Sequence, residues 1–240
     1  MANAVVTGGN TGIGAAIARA LIDAGLDVIS LSRRAPEFSH ERLTHFEVDL
    51  TDAEATRQAA EEIAAAHRVT TFVHNAGAIR ASLIESVDVA DLTALTQLHL
   101  GAAITLLQAF LPAMKAARFG RVILISSRAA LGLPTRTSYS ATKAGMIGMA
   151  RTWALELAPE GITVNVVAPG PIADTEMFES VMSPDSERGQ ALARSIPVKR
   201  LGRSADVARA VVFFAAPASD FITGQTLFVC GGASVGSLTI

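Results

Sequence analysis

Cysteine is nearly absent from this sequence, with Cys230 as the only example in 240 residues. A single thiol excludes an intrachain disulfide and argues against a cysteine-based metal site, so no metal is expected. An excess of one charge is also lacking, because 20 basic residues face 22 acidic ones. This balance is not that of a protein that binds a nucleic-acid backbone, and no nucleic-acid partner is expected.

Long uninterrupted hydrophobic runs are missing as well. A membrane span needs about 18 consecutive apolar residues, whereas the most apolar stretch, 102–114, is interrupted by Thr105, Gln108 and Pro112. The N-terminus has no basic segment ahead of its short apolar start, so it does not resemble a signal peptide. With 50% hydrophobic residues, the chain is expected to be a cytoplasmic globular protein without a membrane partner.

Short apolar runs alternate with longer amphipathic runs along the chain. This alternation predicts β-α-β units around a parallel sheet, and the nearly all-apolar strands indicate that both faces are covered. No linker divides the chain, so a single α/β domain over 1–240 is expected. The predicted strands are 4–6, 28–31, 44–48, 72–74, 122–125, 162–167 and 227–229, and the predicted helices are about 12–24, 52–67 (capped by Thr51 or Asp52), 89–117, 137–159 and 205–215.

Residues 174–200 break this alternation. The segment is polar, contains Pro184, Gly189 and Pro197, and shows no strong period. Such an excursion after a strand is typical of a lid over a substrate site. Its apolar residues favour an apolar substrate; they are Met177, Phe178, Val181 and Met182.

A glycine-rich loop follows the first predicted strand, with glycines at positions 8, 12 and 14. Such a loop lets a pyrophosphate approach the backbone at the N-terminus of the next helix, where free N–H groups point outward. The spacing is G-x-x-x-G-x-G rather than the common G-x-G-x-x-G. A plain tight turn is the alternative, because glycine also serves purely steric needs. The position between a strand and a helix favours the nucleotide site.

Two arginines and no acid stand at the tip of the second strand, in Ser32-Arg33-Arg34. An acidic residue there would bond the ribose 2′-hydroxyl of NAD, whereas arginine accommodates the 2′-phosphate of NADP. The sequence therefore favours NADP(H) over NAD(H), with a pair of solvated surface arginines as the alternative. Asp49, at the end of the third strand, is a candidate partner for the adenine amino group, and Asn75-Ala76-Gly77 ends the fourth strand beside the expected cleft.

Tyr139, the single tyrosine, lies four residues before Lys143. On a helix the two side chains share a face, and a nearby ammonium lowers the pKa of a phenol toward the working range of an acid–base catalyst. The alternative is an ordinary pair with Tyr139 packed and Lys143 solvated. Ser127, at the end of the fifth strand, lies where open α/β sheets bind ligands, although alone it is better explained as a polar residue that ends a strand.

In combination these motifs resemble the short-chain dehydrogenase/reductase family over essentially the whole chain. The resemblance rests on Thr7-Gly8-x-x-x-Gly12-Ile13-Gly14, Asn75-Ala76-Gly77, Ser127, Tyr139-x-x-x-Lys143 and Pro169-Gly170-Pro171-Ile172. The later segments 196–203 and 221–225 resemble the branch that contains the 3-oxoacyl carrier-protein reductases. The resemblance implies a Rossmann-type, doubly wound sheet of seven parallel strands with helices on both faces, and hydride transfer with NAD(P).

By the same resemblance, Tyr139 is the general acid in reduction, Lys143 bonds the nicotinamide ribose and lowers the pKa of Tyr139, and Ser127 holds the carbonyl oxygen. Counting back from Tyr139 selects Ser126 instead, whereas counting forward from Gly120-Arg121 selects Ser127, which we prefer. The residues expected to bind the cofactor are Gly8, Asn10, Thr11, Gly12, Ile13, Gly14, Ser32, Arg33, Arg34, Asp49, Leu50, Asn75, Ala76, Gly77, Tyr139, Lys143, Pro169, Gly170, Ile172 and Thr175.

The sequence departs from the family pattern at three places. His99 stands where many members have an asparagine beside a proton-relay water, so it is a fourth candidate catalytic residue. Either His99 takes over the relay, because imidazole both donates and accepts, or it is a helical histidine beside an altered water site. Cys230 replaces a frequent aspartate, and packing explains it better than chemistry. Of two basic positions that meet an acidic carrier protein, Arg118 matches one, but Glu160 occupies the other.

The sequence thus predicts an NADP(H)-dependent carbonyl reductase or secondary-alcohol dehydrogenase, with 3-oxoacyl thioesters and cyclic or aryl ketones as candidate substrates. An NAD-dependent dehydrogenase of a catabolic pathway is the alternative within the family. A non-enzymatic NADP-binding sensor or scaffold is the alternative outside it, although such a protein needs no Tyr–Lys pair. The two long alanine-rich helices are the surfaces through which the family pairs subunits, so a homo-oligomer, either a tetramer or a dimer, is expected.

Overall fold

The fold is built on one sheet of parallel strands, in a computed structural model that describes residues 3–235. The strands are β1 (Asn3–Thr7), β2 (Asp27–Ser32), β3 (Leu43–Glu47), β4 (Val69–His74), β5 (Gly120–Ile125), β6 (Ile162–Pro169) and β7 (Thr226–Val229). Their order is β3-β2-β1-β4-β5-β6-β7. The chain builds outward from β1 to β3 and then returns to β4, which opens a crevice between the carboxyl ends of β1 and β4. The predicted doubly wound, seven-stranded sheet and single domain are confirmed.

Helices cover both faces of this sheet. They are α1 (Gly12–Asp23), α2 (Ala53–Ala66), α3 (Val89–Thr96), α4 (Ala102–Ala117), α5 (Thr137–Leu157), α6 (Glu176–Glu179), α7 (Glu187–Ser195) and α8 (Ser204–Ala215). α1 packs against α8 on one face, whereas α2, α4 and α5 lie on the other. Of the two residues proposed to cap α2, Asp52 does so, because its carboxylate accepts hydrogen bonds from the backbone N–H groups of Glu54 and Ala55.

Two hydrophobic cores lie on opposite sides of the sheet because strand side chains alternate in direction. On β1, Val5 packs into the core beneath α4 with Phe110, whereas Val6 packs into the core beneath α1 and α8 with Ile17 and Val207. Both faces of the central strands are therefore buried from solvent. This explains why the strands read as nearly continuous apolar runs in the sequence.

The predicted helix 89–117 is continuous but not uniform. A π-helical turn at Gln97–Gly101 joins α3 to α4, and such turns occur frequently at functional sites. The length and composition of the whole segment would also suit a membrane span. However, Leu106, Phe110 and Met114 are almost fully buried against the sheet, so α4 serves as a core helix of the domain.

The polar segment 174–200 is more regular than its sequence indicated, since it contains α6 and α7. Thr175 caps α6, and Ser186 caps α7 by accepting a hydrogen bond from the backbone N–H of Gly189. The helix α7 was not predicted from apolar periodicity, because this nine-residue helix is mostly polar and has too few apolar positions to show a period. The serine cap was the available signal.

Candidate active site

A large cleft opens at the carboxyl edge of the sheet and has a volume of about 1010 Å³. This size is at the upper end for ligand sites in proteins. All of the residues expected to bind the cofactor line the cleft, and so does Ser127. His99 is the exception among the predicted site residues, because it is fully buried behind the cleft wall.

The glycine loop between β1 and α1 depends on its glycines for two distinct reasons. Gly8 and Gly12 have φ values of +63° and +51°, in the left-handed region that favours glycine. Gly14 has no room for a side chain, because a Cβ there would overlap the carbonyl oxygen of Gly8 and lie 2.7 Å from Nδ2 of Asn75. The loop is therefore a tightly folded backbone surface at the N-terminus of α1.

The Thr7 hydroxyl fastens the end of β1 to the end of β4. Its Oγ1 accepts hydrogen bonds from the backbone N–H groups of Asn75 and Ala76, both at 2.9 Å. It therefore has its proton free to donate to Nδ1 of His74, at 3.1 Å. The Nδ2 atom of Asn75 in turn donates to the carbonyl oxygens of Thr7 and Gly8, at 3.0 and 3.2 Å. Asn75 thus supports the glycine loop as well as lining the cleft.

His74 completes this network and was missed by the sequence analysis. Its Nε2 donates to the carbonyl oxygen of Leu98 at 3.1 Å, which ties β4 to the π-turn. Burial, reinforced by the charge of Lys143, lowers the pKa of His74 to about 3, so the imidazole is neutral. The only signals in the sequence were that Thr7 opens the glycine motif and that His74 immediately precedes Asn75.

The two arginines at the tip of β2 differ in their contacts. Arg34 donates to both carboxylate oxygens of Glu176, at 2.9 and 2.8 Å, and so connects β2 with α6. Arg33 has no carboxylate within 4.0 Å in residues 3–235, although its charge helps to lower the pKa of Asp49. The larger cause of that lowered pKa is Thr51, whose N–H and hydroxyl donate to Asp49 at 2.9 and 2.7 Å. Ser32 Oγ donates to the carbonyl oxygen of Arg34 at 2.9 Å and supports the turn.

Tyr139 and Lys143 lie one turn apart on α5, and both are buried. The Lys143 Nζ donates to the carbonyl oxygen of Ile125 at 2.7 Å and lies 5.8 Å from the centre of the Tyr139 ring. Burial lowers the pKa of Lys143 to about 7, so this amine gains or loses a proton near neutral pH. The alternative of a solvated lysine does not fit this geometry.

The two serines that end β5 have different environments. Ser126 is buried, and its hydroxyl donates to the carbonyl oxygen of Lys143 at 2.7 Å, which anchors α5 to the sheet. Ser127 is half-buried, its hydroxyl accepts a hydrogen bond from the backbone N–H of Ala129 at 3.1 Å, and it lies near enough to Tyr139 to help lower the pKa of that phenol. This arrangement places Ser127, rather than Ser126, beside the phenol.

The pKa of Tyr139 moves in the direction opposite to the sequence-based expectation. Burial raises the pKa of this phenol, and the opposing effects of the Ser127 hydrogen bond and the Arg136 charge are smaller. The expected lowering by Lys143 is absent because Lys143 is itself buried, is directed at Ile125 and has a pKa of about 7. Tyr139 is therefore a protonated phenol at neutral pH in this structure.

His99, on the π-turn, uses both ring nitrogens within the protein. Its Nε2 accepts a hydrogen bond from the backbone N–H of Ala78 at 3.2 Å, and its Nδ1 donates to Oγ1 of Thr142 at 2.8 Å. The ring meets Tyr139 edge-to-face, with centroids 5.7 Å apart. Burial, together with the charge of Lys143, strongly lowers the pKa of His99. No ring nitrogen is free to bond a relay water, so the relay interpretation does not fit this geometry.

The segment after β6 closes the cleft from the lid side. Thr175 Oγ1 donates to the carbonyl oxygen of Ile172 at 3.1 Å, and its Cγ2 would lie 3.2 Å from a Cβ at Gly12. Thr175, at the start of segment 174–200, therefore packs beside the glycine loop. Cys230 is buried against Gly170 and its Sγ lies 3.1 Å from Oγ of Ser234, a packing environment.

Arg118, the one match to a carrier-protein contact, is paired within the protein. Its Nη1 lies 3.0 Å from a carboxylate oxygen of Glu160, and its Nη2 donates to the carbonyl oxygen of Pro159. The residue that breaks the carrier-protein pattern thus also neutralises the residue that matches it.

Comparison with known proteins identifies the family of this chain. A sequence profile of a family described as "Enoyl-(Acyl carrier protein) reductase" matches residues 8–234. The (2S)-[(R)-hydroxy(phenyl)methyl]succinyl-CoA dehydrogenase subunit BbsC of Thauera aromatica is 41% identical over 214 residues, which are 88% of this chain and 83% of that protein. The 3-oxoacyl-[acyl-carrier-protein] reductase FabG of Haemophilus influenzae is 37% identical over 237 residues, 95% and 96% of the two chains.

The chain belongs to the short-chain dehydrogenase/reductase family. It is an oxidoreductase of this family, and its resemblance to the 3-oxoacyl carrier-protein reductases is confirmed. The family fold is confirmed by a solved structure titled as a putative NAD(P) dependent gluconate 5-dehydrogenase from Beutenbergia cavernae with bound NADP at low occupancy. That structure has a TM-score of 0.86 and 32% identity, and the match covers 98% of this chain and 97% of the other.

We predict that Gly14→Ala destabilises the protein. The new Cβ would overlap the backbone of Gly8, and displacing tightly packed atoms costs about 1–3 kcal/mol. Gly148→Ala is the matched control, because a Cβ at this α5 position meets nothing within 4 Å and alanine favours helix by about 1 kcal/mol. Urea unfolding of the three proteins measures the difference. Equal loss of stability in both variants would contradict the account of the loop.

We also predict that Lys143 makes stability depend on pH. Its pKa is about 7 in the folded protein, against an ordinary value of 10.5, so the unfolded chain binds more protons between these values. The free energy of unfolding therefore rises with pH across this window. Lys143→Met should show a smaller rise from pH 7 to pH 9, whereas Lys115→Met, at an exposed lysine, should keep the full rise. Unfolding curves at both pH values decide this, and identical slopes in all three proteins would refute it.

Proposed function

We propose that this protein is an NADP(H)-dependent oxidoreductase that transfers hydride between the nicotinamide and a ketone or secondary alcohol. The observation that carries the proposal is that Ser127, Tyr139 and Lys143 line the same cleft as the glycine loop. Two solved structures related to this chain at 32% identity are titled with bound NADP and with NADPH. A sensor or scaffold would not require the Tyr139–Lys143 pair.

The residues around the cleft fit the proposed cofactor. The glycine loop exposes backbone at the N-terminus of α1, which is a site for a pyrophosphate. Arg33 has no carboxylate within 4.0 Å in the described chain and is available to a 2′-phosphate, and the pair of Arg34 with Glu176 is exposed on both sides. Exposed pairs contribute only about 0–1 kcal/mol, so a phosphate can replace Glu176. When bound, NADP(H) supplies or accepts the hydride.

In the reducing direction, Tyr139 would donate its proton to the carbonyl oxygen of the substrate. Burial keeps the phenol protonated, as a general acid requires. The half-buried Ser127 hydroxyl lies beside it and would hold the same oxygen as negative charge develops. Lys143, with a pKa of about 7, can exchange a proton at neutral pH behind Tyr139.

We assign His99 a positioning role in this reaction. It packs edge-to-face on Tyr139 and bonds Thr142, which in turn donates to the carbonyl oxygens of Ser138 and Tyr139 at 3.0 Å. These contacts fix the first turn of α5 and the orientation of the phenol. His99 is neutral, so it does this without ionising.

Segment 174–200 is proposed as the lid that selects the substrate. Apolar side chains of α6, of the turn after it and of α7 line the cleft; they are Met177, Phe178, Val181, Met182 and Leu192. A substrate with an apolar body fits this wall. The NAD-dependent alternative has one observation in its favour, which is that Glu176 already occupies Arg34.

A homo-oligomer in the cytoplasm is part of the proposal. On the two long helices expected to pair subunits, Ile104 of α4 is 39% exposed and Leu155 of α5 is 81% exposed. Unpaired apolar side chains on these helices support burial against a second copy. The nearly cysteine-free composition suits a reducing compartment.

We expect Tyr139→Phe to lose at least about a hundredfold in kcat, the contribution of a general acid. NADPH consumption would be followed with cyclic ketones, aryl ketones and 3-oxoacyl thioesters as substrates. Binding of NADPH should change little, because the ring and its packing are kept. Turnover that is unaffected by this substitution would contradict the assignment. NADPH binding without turnover of any member of the panel would favour the sensor.

Cofactor choice is tested by the double variant Arg33→Ala/Arg34→Ala. Loss of charged hydrogen bonds to a 2′-phosphate should raise KM for NADPH by about tenfold or more and leave KM for NADH unchanged. Glu176→Gln is the matched control, because it removes a charge from the same cluster and frees Arg34. It should bind NADPH as well as the wild type or better. Equal effects of the double variant on both cofactors would refute the NADP assignment.

A further inference from the structure

The charge of the cleft is strongly one-sided although that of the chain is balanced. Seven basic and two acidic side chains line the cleft, against 20 and 22 in the whole sequence. Both acids, Asp49 and Glu176, lie beside Arg33 and Arg34 at the end assigned to the 2′-phosphate. Among the described residues no other carboxylate lines the cleft, whereas four further arginines do; these arginines are Arg80, Arg128, Arg136 and Arg188.

These four arginines differ in how far the protein compensates them. Arg80 has Asp91 at 3.6 Å. Arg128, Arg136 and Arg188 have no carboxylate within 4.0 Å in the part of the chain that the structure describes. Arg128 directly follows Ser127, and Arg188 lies on α7 in the proposed lid. Three arginines thus line the cleft without a carboxylate partner among the described residues.

Arg136 is the best positioned of the three. It precedes α5 directly and lies one helical turn before Tyr139, on the same face. The side chain is half-buried, and its charge reaches the phenol and helps to lower the pKa of Tyr139. Its Nη1 donates to Oγ1 and to the carbonyl oxygen of Thr135, at 2.6 and 3.3 Å. Both acceptors are neutral, so the positive charge is held in place without being cancelled.

The backbone that holds Arg136 is strained. Thr135 has φ +65°, a left-handed conformation that is unfavourable for a β-branched residue. It is kept there by the backbone N–H of Ser82, which donates to the Thr135 carbonyl oxygen at 3.0 Å, and by a β-bridge between Ser82 and Arg136. Such strain costs about 1–3 kcal/mol and clusters at ligand-binding sites. Here it fixes Arg136, whose side chain lines the cleft and acts on Tyr139.

We propose that the natural substrate is a ketone, or the corresponding alcohol, that carries a free carboxylate, and that Arg136 binds this carboxylate. Arginine is suited to carboxylates because its planar N–H groups form paired, charge-assisted hydrogen bonds. Arg128 and Arg188 add attraction for the anion, while the apolar lid residues contact the rest of the molecule. Arg136 is thus a specificity-determining residue. This inference rests on the proposed hydride transfer at Tyr139.

A matched pair of probes tests it: 4-oxo-4-phenylbutanoate and its methyl ester, which share the ketone and differ in charge. With NADPH, the wild type should reduce the acid with a kcat/KM at least about tenfold above that of the ester, as expected for a charge-assisted hydrogen bond. Arg136→Gln should remove this preference, so that the ratio of kcat/KM for the acid to that for the ester falls to about one, because any effect on the pKa of Tyr139 applies to both substrates. Arg68→Gln, at an exposed arginine outside the cleft, should behave as wild type. An unchanged acid-to-ester ratio in Arg136→Gln overturns the inference.

Calorimetric binding of the same two probes to the NADP⁺ complex separates this inference from the proposed function. If neither probe is turned over but the acid binds at least tenfold tighter than the ester only when Arg136 is present, the proposed turnover fails and the carboxylate site stands. Equal binding of acid and ester by the wild type overturns the site. The coenzyme A thioester of the acid provides a third arm. If Arg136→Gln weakens binding of the thioester alone, Arg136 binds a phosphate of coenzyme A, and the assignment of Arg136 to the substrate carboxylate is overturned.

Discussion

The hydroxyl of Thr7 joins the two strands between which the cleft opens. It accepts hydrogen bonds from two backbone N–H groups in the turn after β4, and it donates a hydrogen bond to His74. The glycine loop, the Asn75-Ala76-Gly77 turn and the π-turn are linked through this one network. Because these segments come from distant parts of the chain, the shape of the cofactor end depends on a few short hydrogen bonds in a buried place, where an unpaired polar group would be costly.

Burial determines the protonation of Tyr139 and Lys143 at the catalytic end of the cleft. It raises the pKa of Tyr139 and lowers that of Lys143 to about 7. The pair is thus a protonated phenol beside a lysine that is poised to titrate, rather than a phenolate held by a permanent cation. The permanent cation near the phenol is Arg136. One arginine can therefore both influence the acid and recognise the substrate.

The sequence predicted the fold, and it predicted which residues of the glycine loop and the strand ends line the cleft, because those signals are local. Glycine spacing, strand ends and the Tyr139–Lys143 offset are all read within a few residues, and the corresponding residues line one cleft. The environment of His99 was not predictable, since its partners Ala78 and Thr142 are 21 and 43 residues away. The fixed position of Arg136 was missed for the same reason, because it depends on Ser82 and on a positive φ at Thr135 that no local motif indicates.

The central claim is that one cleft holds NADP(H) along the glycine loop and presents the reacting carbonyl to Tyr139. A crystal structure of the protein with NADP⁺ bound tests it most directly. The account predicts density for the pyrophosphate at Gly12 and Gly14, for the 2′-phosphate at Arg33, and for the nicotinamide ring beside Tyr139. A nucleotide bound elsewhere, or one whose nicotinamide lies away from Tyr139 at full occupancy, would contradict it.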